Sequence, residues 1–170
     1  MDEKIDDHKG ITEMQKTVRL YNSEDCREII KLFYDTVHTI NLKDYNSAQL
    51  DVWAPEEIDV DTWDKSLSST HTVVVESNGV ILGFGNLDDT GCLDRLFVRK
   101  DFQGQGIASI IADESEKHAQ QHGTLVITTE ASITARPFFE KRGYQVVRQQ
   151  SIERKGQTLT NFVMEKHLAR

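Results

Sequence analysis

The sequence predicts an α+β domain in which a mixed, mostly antiparallel sheet is flanked by helices, and three observations carry the prediction. Apolar residues recur with a period of two over Thr72–Arg99 and with a helical period over 23–39 and 105–121. The second change of period falls on two glycines, Gly104 and Gly106, where a strand runs into a helix. At 170 residues the chain has the size of one ordinary domain and can bury a core without disulfide staples. Residues 1–15 are polar and aperiodic and are expected as a loose tail, with a single domain over 16–170.

Each element follows from its local pattern. Thr17-Val18-Arg19-Leu20-Tyr21 alternates and reads as a strand; Asn22 or Ser23 then caps a helix whose Ile29, Ile30, Phe33, Val37 and Ile40 share one face. Residues 47–53 and 58–68 read as two shorter helices broken near Pro55. Thr72–Glu76 and Val80–Leu87 are joined by Ser77-Asn78-Gly79, a hairpin signal, and Asp88–Gly91 turns the chain into a third strand, Cys92–Arg99. These three strands form an antiparallel meander. The helix over about 105–121 buries Ile107, Ile110 and Ile111 and ends at Gly123. Leu125–Thr129 is a strand and Thr134–Arg142 a helix closed by Gly143; Gln145–Glu153 and Leu159–Lys166 pair across Lys155-Gly156.

Composition narrows the function. The net charge of −8 argues against a nucleic-acid partner, which would require a basic face. Between Asp44 and Asp64 stand seven carboxylates and no Lys or Arg, a segment suited to attracting a cationic acceptor or simply to staying solvated. The longest uninterrupted aliphatic run, Val73-Val74-Val75, is far below the roughly 20 residues that span a bilayer, so no membrane partner is expected. The start lacks a signal-peptide core, and the two cysteines, Cys26 and Cys92, are too few for a disulfide framework. A cytoplasmic location is expected. No His/Cys/Asp spacing suggests a metal.

The glycines are built to hold a phosphate. They leave no Cβ between backbone and anion, and the unpaired N–H groups of a helix's first turn converge where its dipole is positive. Gly106 is followed by Ile107 and Ala108, so the Gly-Lys-Ser/Thr of a nucleotide-hydrolysing loop is absent. Gly104-x-Gly106 also lies too far along the chain, without a third glycine, for a dinucleotide fold.

With Val98, the segment Gln103-Gly104-Gln105-Gly106-Ile107-Ala108 resembles the coenzyme A loop of the GCN5-related N-acetyltransferase (GNAT) superfamily, Gln/Arg-x-x-Gly-x-Gly/Ala after a strand ending in valine. Ala135-Arg136-Pro137-Phe138-Phe139-Glu140-Lys141-Arg142-Gly143-Tyr144 is similar to its second signature, Ala-x-x-φ-Tyr-Glu-Lys-x-Gly-Phe. The resemblance spans about 16–168 and implies the GNAT acyltransferase fold, with the sheet splayed between the fourth and fifth strands. It implies acetyl-CoA as co-substrate. The N–H groups of Gln103 through Ala108 would wrap the pyrophosphate, and Leu96, Phe97 and Val98 would line the pantetheine arm, with Ser132, Phe138, Phe139 and Lys141 completing the coenzyme site.

Acetyl transfer to an amine needs a base, because an alkyl ammonium with a pKa of about 10.4 is mostly protonated at neutral pH. By the resemblance, Asp94 occupies the position where several superfamily members carry a catalytic glutamate, four residues before the valine. Alternation places Asp94, Leu96 and Val98 on one face, beside partly apolar surroundings. A salt bridge to Arg95 or a rim position is the competing reading. The oxyanion donor is expected to be the N–H of Phe97 or its neighbour. Phe139 stands where relatives carry a tyrosine that protonates the leaving sulfur, and Ser132 and Tyr144 are the substitutes.

Tyr45, Gln49 and Trp53 fall at i, i+4 and i+8 and match a bacterial subgroup that reads Asp-Tyr-Ser-x-x-Gln-φ-x-x-Trp-Ala-Pro at this place. With His38 they are the candidate acceptor-binding residues, packing being the alternative. The expected activity is transfer of acetyl from acetyl-CoA to a small-molecule amine within a ternary complex, in a monomer or homodimer. A non-catalytic acetyl-CoA sensor and a protein or peptide N-acetyltransferase are the competing readings.

Overall fold

A computed structural model describes residues 15–169. The tail expected over 1–15 lies, apart from Gln15, outside the described residues. The elements are β1 (Thr17–Leu20), α1 (Cys26–Ile40), α2 (Ser47–Trp53), α3 (Val60–Ser69), β2 (His71–Ser77), β3 (Val80–Leu87), β4 (Cys92–Val98), α4 (Ile107–Gln121), β5 (Val126–Ser132), α5 (Arg136–Lys141), β6 (Gln145–Arg154) and β7 (Gln157–His167). Short 3-10 turns precede α1, follow it, and link β4 to the glycine loop.

Asn22 caps the 3-10 turn that leads into α1, whose own N-cap Asp25 makes no side-chain cap bond, and Asn46 caps α2. Asn22 accepts from the Glu24 N–H, and Asn46 accepts from the Gln49 N–H while Gln49 returns a bond to the Asn46 N–H. The Asp88 carboxylate accepts from the Thr90 and Cys92 N–H groups and so folds the turn between β3 and β4. Asn78-Gly79 and Lys155-Gly156 take positive φ at both positions, the hairpin geometry that suits twisted strands.

The seven strands form one sheet in the order β1-β2-β3-β4-β5-β7-β6, antiparallel throughout except for the β4–β5 pair. This is the mixed, helix-flanked sheet predicted. α1, α2 and α3 cover one face around Ile29, Leu32, Phe33, Leu50, Leu67 and Phe84. α4 covers the opposite face through Ile107 and Ile111 against Val75, Leu82 and Val98, and α5 adds Phe139 near Ala119, Ile127 and Met164. Covered on both sides, β2 is a valine run and not a strict alternation.

Close packing of α4 depends on two glycines of β3. A Cβ at Gly83 would lie 2.9 Å from Ile107 Cγ2, and one at Gly85 would lie 2.6 Å from Ile111 Cγ2. The helix therefore rests almost on the β3 backbone, which brings its first turn beside the C-terminal end of β4.

Candidate active site

β4 and β5 pair only at Cys92↔Thr128 and Leu93↔Thr129. Beyond that point β4 follows β3 as far as Gly83↔Val98, while β5 follows β7 as far as Ser132↔Asn161. The strands part, and a cleft of about 920 Å3 opens between them. The Thr129 hydroxyl donates to the Leu93 carbonyl at 2.9 Å and closes the base of the wedge.

A β-bulge sits at this junction. Leu93 pairs with Leu87 and Arg95 with Asn86, leaving Asp94 as the extra residue. The bulge resets the alternation that the sequence pattern assumed: Leu93 joins Leu96 and Val98 on the α4 side, while Arg95 and Phe97 face α1 and α3. Asp94 therefore does not lie in the apolar surroundings expected for it. Its side chain is 54% exposed at the cleft rim and pairs with Arg95 at 3.3 Å.

The far end of the cleft is a cradle of main-chain donors. Gly104 and Gly106 have φ of +71° and +79°, and a Cβ at either would meet nothing within 4 Å, so open space lies above both. The N–H groups of Gly104 through Ala108 donate to no acceptor among the described residues. They stand at the positive end of a 15-residue helix. These features fit a coenzyme A diphosphate.

Along β4 the expected roles redistribute. The Arg99 N–H bonds the Leu82 carbonyl, which sets Phe97 and Arg95 as the residues whose main-chain groups pair with β3. The Phe97 N–H thus belongs to the ladder and cannot serve as oxyanion donor. Leu96 and Val98 direct theirs toward the splay. The Val98 carbonyl is already filled by the Thr36 hydroxyl at 3.0 Å and the Gln103 side chain at 2.8 Å, leaving its N–H and both Leu96 groups free of the ladder.

Comparison with known proteins decides the family. The model of the acetyltransferase (GNAT) domain matches residues 41–166. The chain is 31% identical over 147 residues to the uncharacterized N-acetyltransferase YafP of Escherichia coli K12, covering 86% of this chain and 93% of that protein. The chain belongs to the GNAT acetyltransferase family. Its structure is similar to a GCN5-related N-acetyltransferase from Rhodopseudomonas palustris, with a TM-score of 0.87 and 30% identity over 91% of this chain and 98% of that one. The PaiA N-acetyltransferase of Thermoplasma acidophilum, solved with coenzyme A, shares the fold with a TM-score of 0.75 and 17% identity over 91% and 99%. As a GNAT member the protein is an acetyl-CoA-dependent acyltransferase.

The GNAT tyrosine position is filled by Phe139, which lines the cleft, is 3% exposed and meets Tyr144 edge-on at 5.0 Å. Of its two proposed substitutes, the structure brings only one to the cleft. Ser132 lines it and its oxygen accepts from the Ala135 N–H at 3.0 Å, so the hydroxyl proton is free to donate. Tyr144 is a correction: it is 2% exposed, does not line the cleft, and burial pushes its phenol well above the usual range. It is a core residue beneath α5.

The residues expected to bind the acceptor sort in the same way. Tyr45 and Trp53 line the cleft, edge-on at 5.4 Å, with Phe33, Trp63 and Phe97 continuing the aromatic wall. Gln49 does not reach it, because both ends of its amide are used, by the Asn46 N–H and by the Thr158 carbonyl at 2.8 Å. His38 is also outside, bonded to the Ala54 carbonyl at 2.7 Å and packed on Tyr34. Lys141 is exposed and away from the cleft.

The cleft lining extends beyond the candidate site residues, and Glu57 and Asp59 bring part of the acidic 44–64 segment to it. Glu57, Asp59 and Glu130 add carboxylates to Asp94, and Asn161 carries a buried Oδ1 with no partner among the described residues. Arg95 stacks over the Trp63 ring at 4.4 Å and bonds Ser66, and burial lowers its pKa. Glu130 follows the last position at which β5 pairs with β4, and which of these residues reach the cleft depends on which strands are neighbours.

Proposed function

We propose that the protein transfers acetyl from acetyl-CoA to the amine of a small, cationic molecule by direct attack in a ternary complex. The observation that carries this reading is the polar lining of the acceptor half, which is rich in acceptors: Glu57, Asp59, Asp94, Glu130 and the unpartnered Asn161 Oδ1. Among the described residues two arginines line the cleft: Arg95 is spent on Asp94, Ser66 and Trp63, and Arg154 is exposed at the end of β6. Such a cleft favours a donor-rich ligand, and the wall of Tyr45, Trp53 and Phe97 suits a cation or its aliphatic stem.

In this reading Asp94 takes the ammonium proton through water, since it stands at the splay with solvent around it. The acyl group is supplied as a thioester, whose carbonyl oxygen is met by the Leu96 or Val98 N–H. The Ser132 hydroxyl donates to the departing sulfur in place of the missing tyrosine. A thiol pKa of about 8.5 makes the thiolate a fair leaving group even without full protonation.

The Tyr45, Gln49 and Trp53 spacing supports membership of the bacterial subgroup named above, with Gln49 acting as a strut. Among the described residues, no helix is long and apolar enough to cross a membrane. A cytoplasmic enzyme, single-domain over 16–170 and monomeric or homodimeric, is the setting we propose.

Thiol release from acetyl-CoA, measured with a panel of diamines, aminoglycosides, amino acids and N-terminal peptides, tests the reading. Turnover with small cationic amines is expected. Turnover confined to peptides would replace it with a peptide acetyltransferase, and tight coenzyme binding without turnover of any amine would replace it with a sensor.

A further inference from the structure

We infer that Lys16 is a positioning residue for the coenzyme's diphosphate, holding the Gly106 N–H pointed into the cleft. The Lys16 ammonium donates to the Gln105 carbonyl at 2.8 Å, across 89 residues of sequence. Gln105 itself does not line the cleft, whereas Gly104 and Gly106 on either side do. Every peptide bond described is trans, and in a trans peptide the carbonyl and the N–H of the same unit point in opposite directions. An ammonium that draws the Gln105 oxygen to the β1 side therefore turns the Gly106 N–H toward the diphosphate.

This peptide needs a holder. With no Cβ at Gly106, both orientations of the unit are sterically open, and the wrong one would face an anion with a carbonyl oxygen. α4 does not supply the restraint: its first bond runs from the Ile110 N–H to the Gly106 carbonyl, and no backbone N–H among the described residues donates to the Gln105 oxygen. Lys16, immediately before β1, reaches the loop because the N-terminus of α4 lies over the β2–β3 part of the sheet. The same charge adds to the positive end of the helix. The segment before β1 is in this way part of the coenzyme site, outside both sequence signatures.

The inference rests on acetyl-CoA being the acetyl donor, and the test separates the two claims. Coenzyme A and pantetheine, which lacks the diphosphate, are titrated calorimetrically into wild type, Lys16→Met and Lys16→Arg, with thermal midpoints measured alongside. Lys16→Met is expected to raise the Kd for coenzyme A about tenfold, with Lys16→Arg staying within about threefold of wild type. Pantetheine binding is expected to be the same for all three. In 1H–15N spectra the Gly106 amide should shift on coenzyme addition in wild type and respond less in Lys16→Met. Unchanged coenzyme affinity in Lys16→Met, or equal losses for both ligands, would overturn the inference. A wild-type chain that binds no coenzyme A would strike at the donor assignment itself.

Discussion

The Tyr45 hydroxyl donates to the Thr160 carbonyl at 2.6 Å and accepts from the Ile133 N–H at 3.0 Å. One oxygen thus ties the segment before α2 to β7 and to the end of β5, at the wall of the cleft. The residue is 5% exposed, and burial raises its pKa, so it remains a protonated donor at any ordinary pH.

Tyr45→Phe removes the oxygen and takes this partner from the part-buried Thr160 carbonyl and Ile133 N–H. A loss of about 1–3 kcal/mol is expected. It should appear as a lower denaturant midpoint with an unchanged slope, and an unmoved midpoint would show that the bond carries no weight.

Asp94 is the bulged residue at the splay, and its role as base is tested by Asp94→Asn. The expected result is a fall in kcat of about a hundredfold at neutral pH, with the acidic limb of the rate profile lost. Glu130→Gln, on the facing strand, is expected to keep that limb. If the limb survives in Asp94→Asn, the base lies elsewhere.

Gly85 lets α4 lie against β3. In Gly85→Ala the new methyl would stand 2.6 Å from Ile111 Cγ2 and 3.0 Å from the Arg95 carbonyl, so the helix must lift. A destabilisation of about 1–3 kcal/mol is expected in thermal or chemical unfolding. Because α4 carries the cradle, coenzyme affinity should fall as well; wild-type stability would show that the helix shifts without cost.

Three imidazoles stack at the C-terminal end of α4. His71 lies parallel to His118 at 3.6 Å, and His118 meets His122 at 4.0 Å. Burial first, and then the neighbouring imidazoles, hold His71 below its usual 6.5, with Glu114 opposing; burial and then His122 do the same for His118. A depressed folded-state value means that the unfolded chain binds more protons in the intervening window. This contribution to stability is complete above the unfolded value and is lost as pH falls through the folded ones. The thermal midpoint should therefore rise as pH is raised toward the usual imidazole value of about 6.5, and His118→Gln should flatten that rise. Equal slopes in wild type and variant would remove the stack as the cause.

Much of this was legible in the chain because it is local. The β2–β4 meander, α1 and α4 announce themselves by period, since a side chain's neighbours along one strand or helix are dictated by backbone geometry. The glycines of the coenzyme loop and the first turn of α4 were legible for the same reason, being adjacent in sequence, whereas the Lys16 contact to the loop was not. Only the tertiary structure decided what depends on distant partners. The bulge at Asp94 arises from the β3 register, and it overturned the face predicted by alternation. His38, Gln49 and Tyr144 carry residue types fit for chemistry, yet their polar atoms or their position beneath α5 are set by segments that the sheet order brings alongside. Tyr45 and Thr160, 115 residues apart, and Lys16 and Gln105, 89 apart, meet because β7 inserts beside β5 and α4 crosses toward β1. Periodicity reports the polarity a side chain faces; the atom it touches is settled by how the strands are ordered.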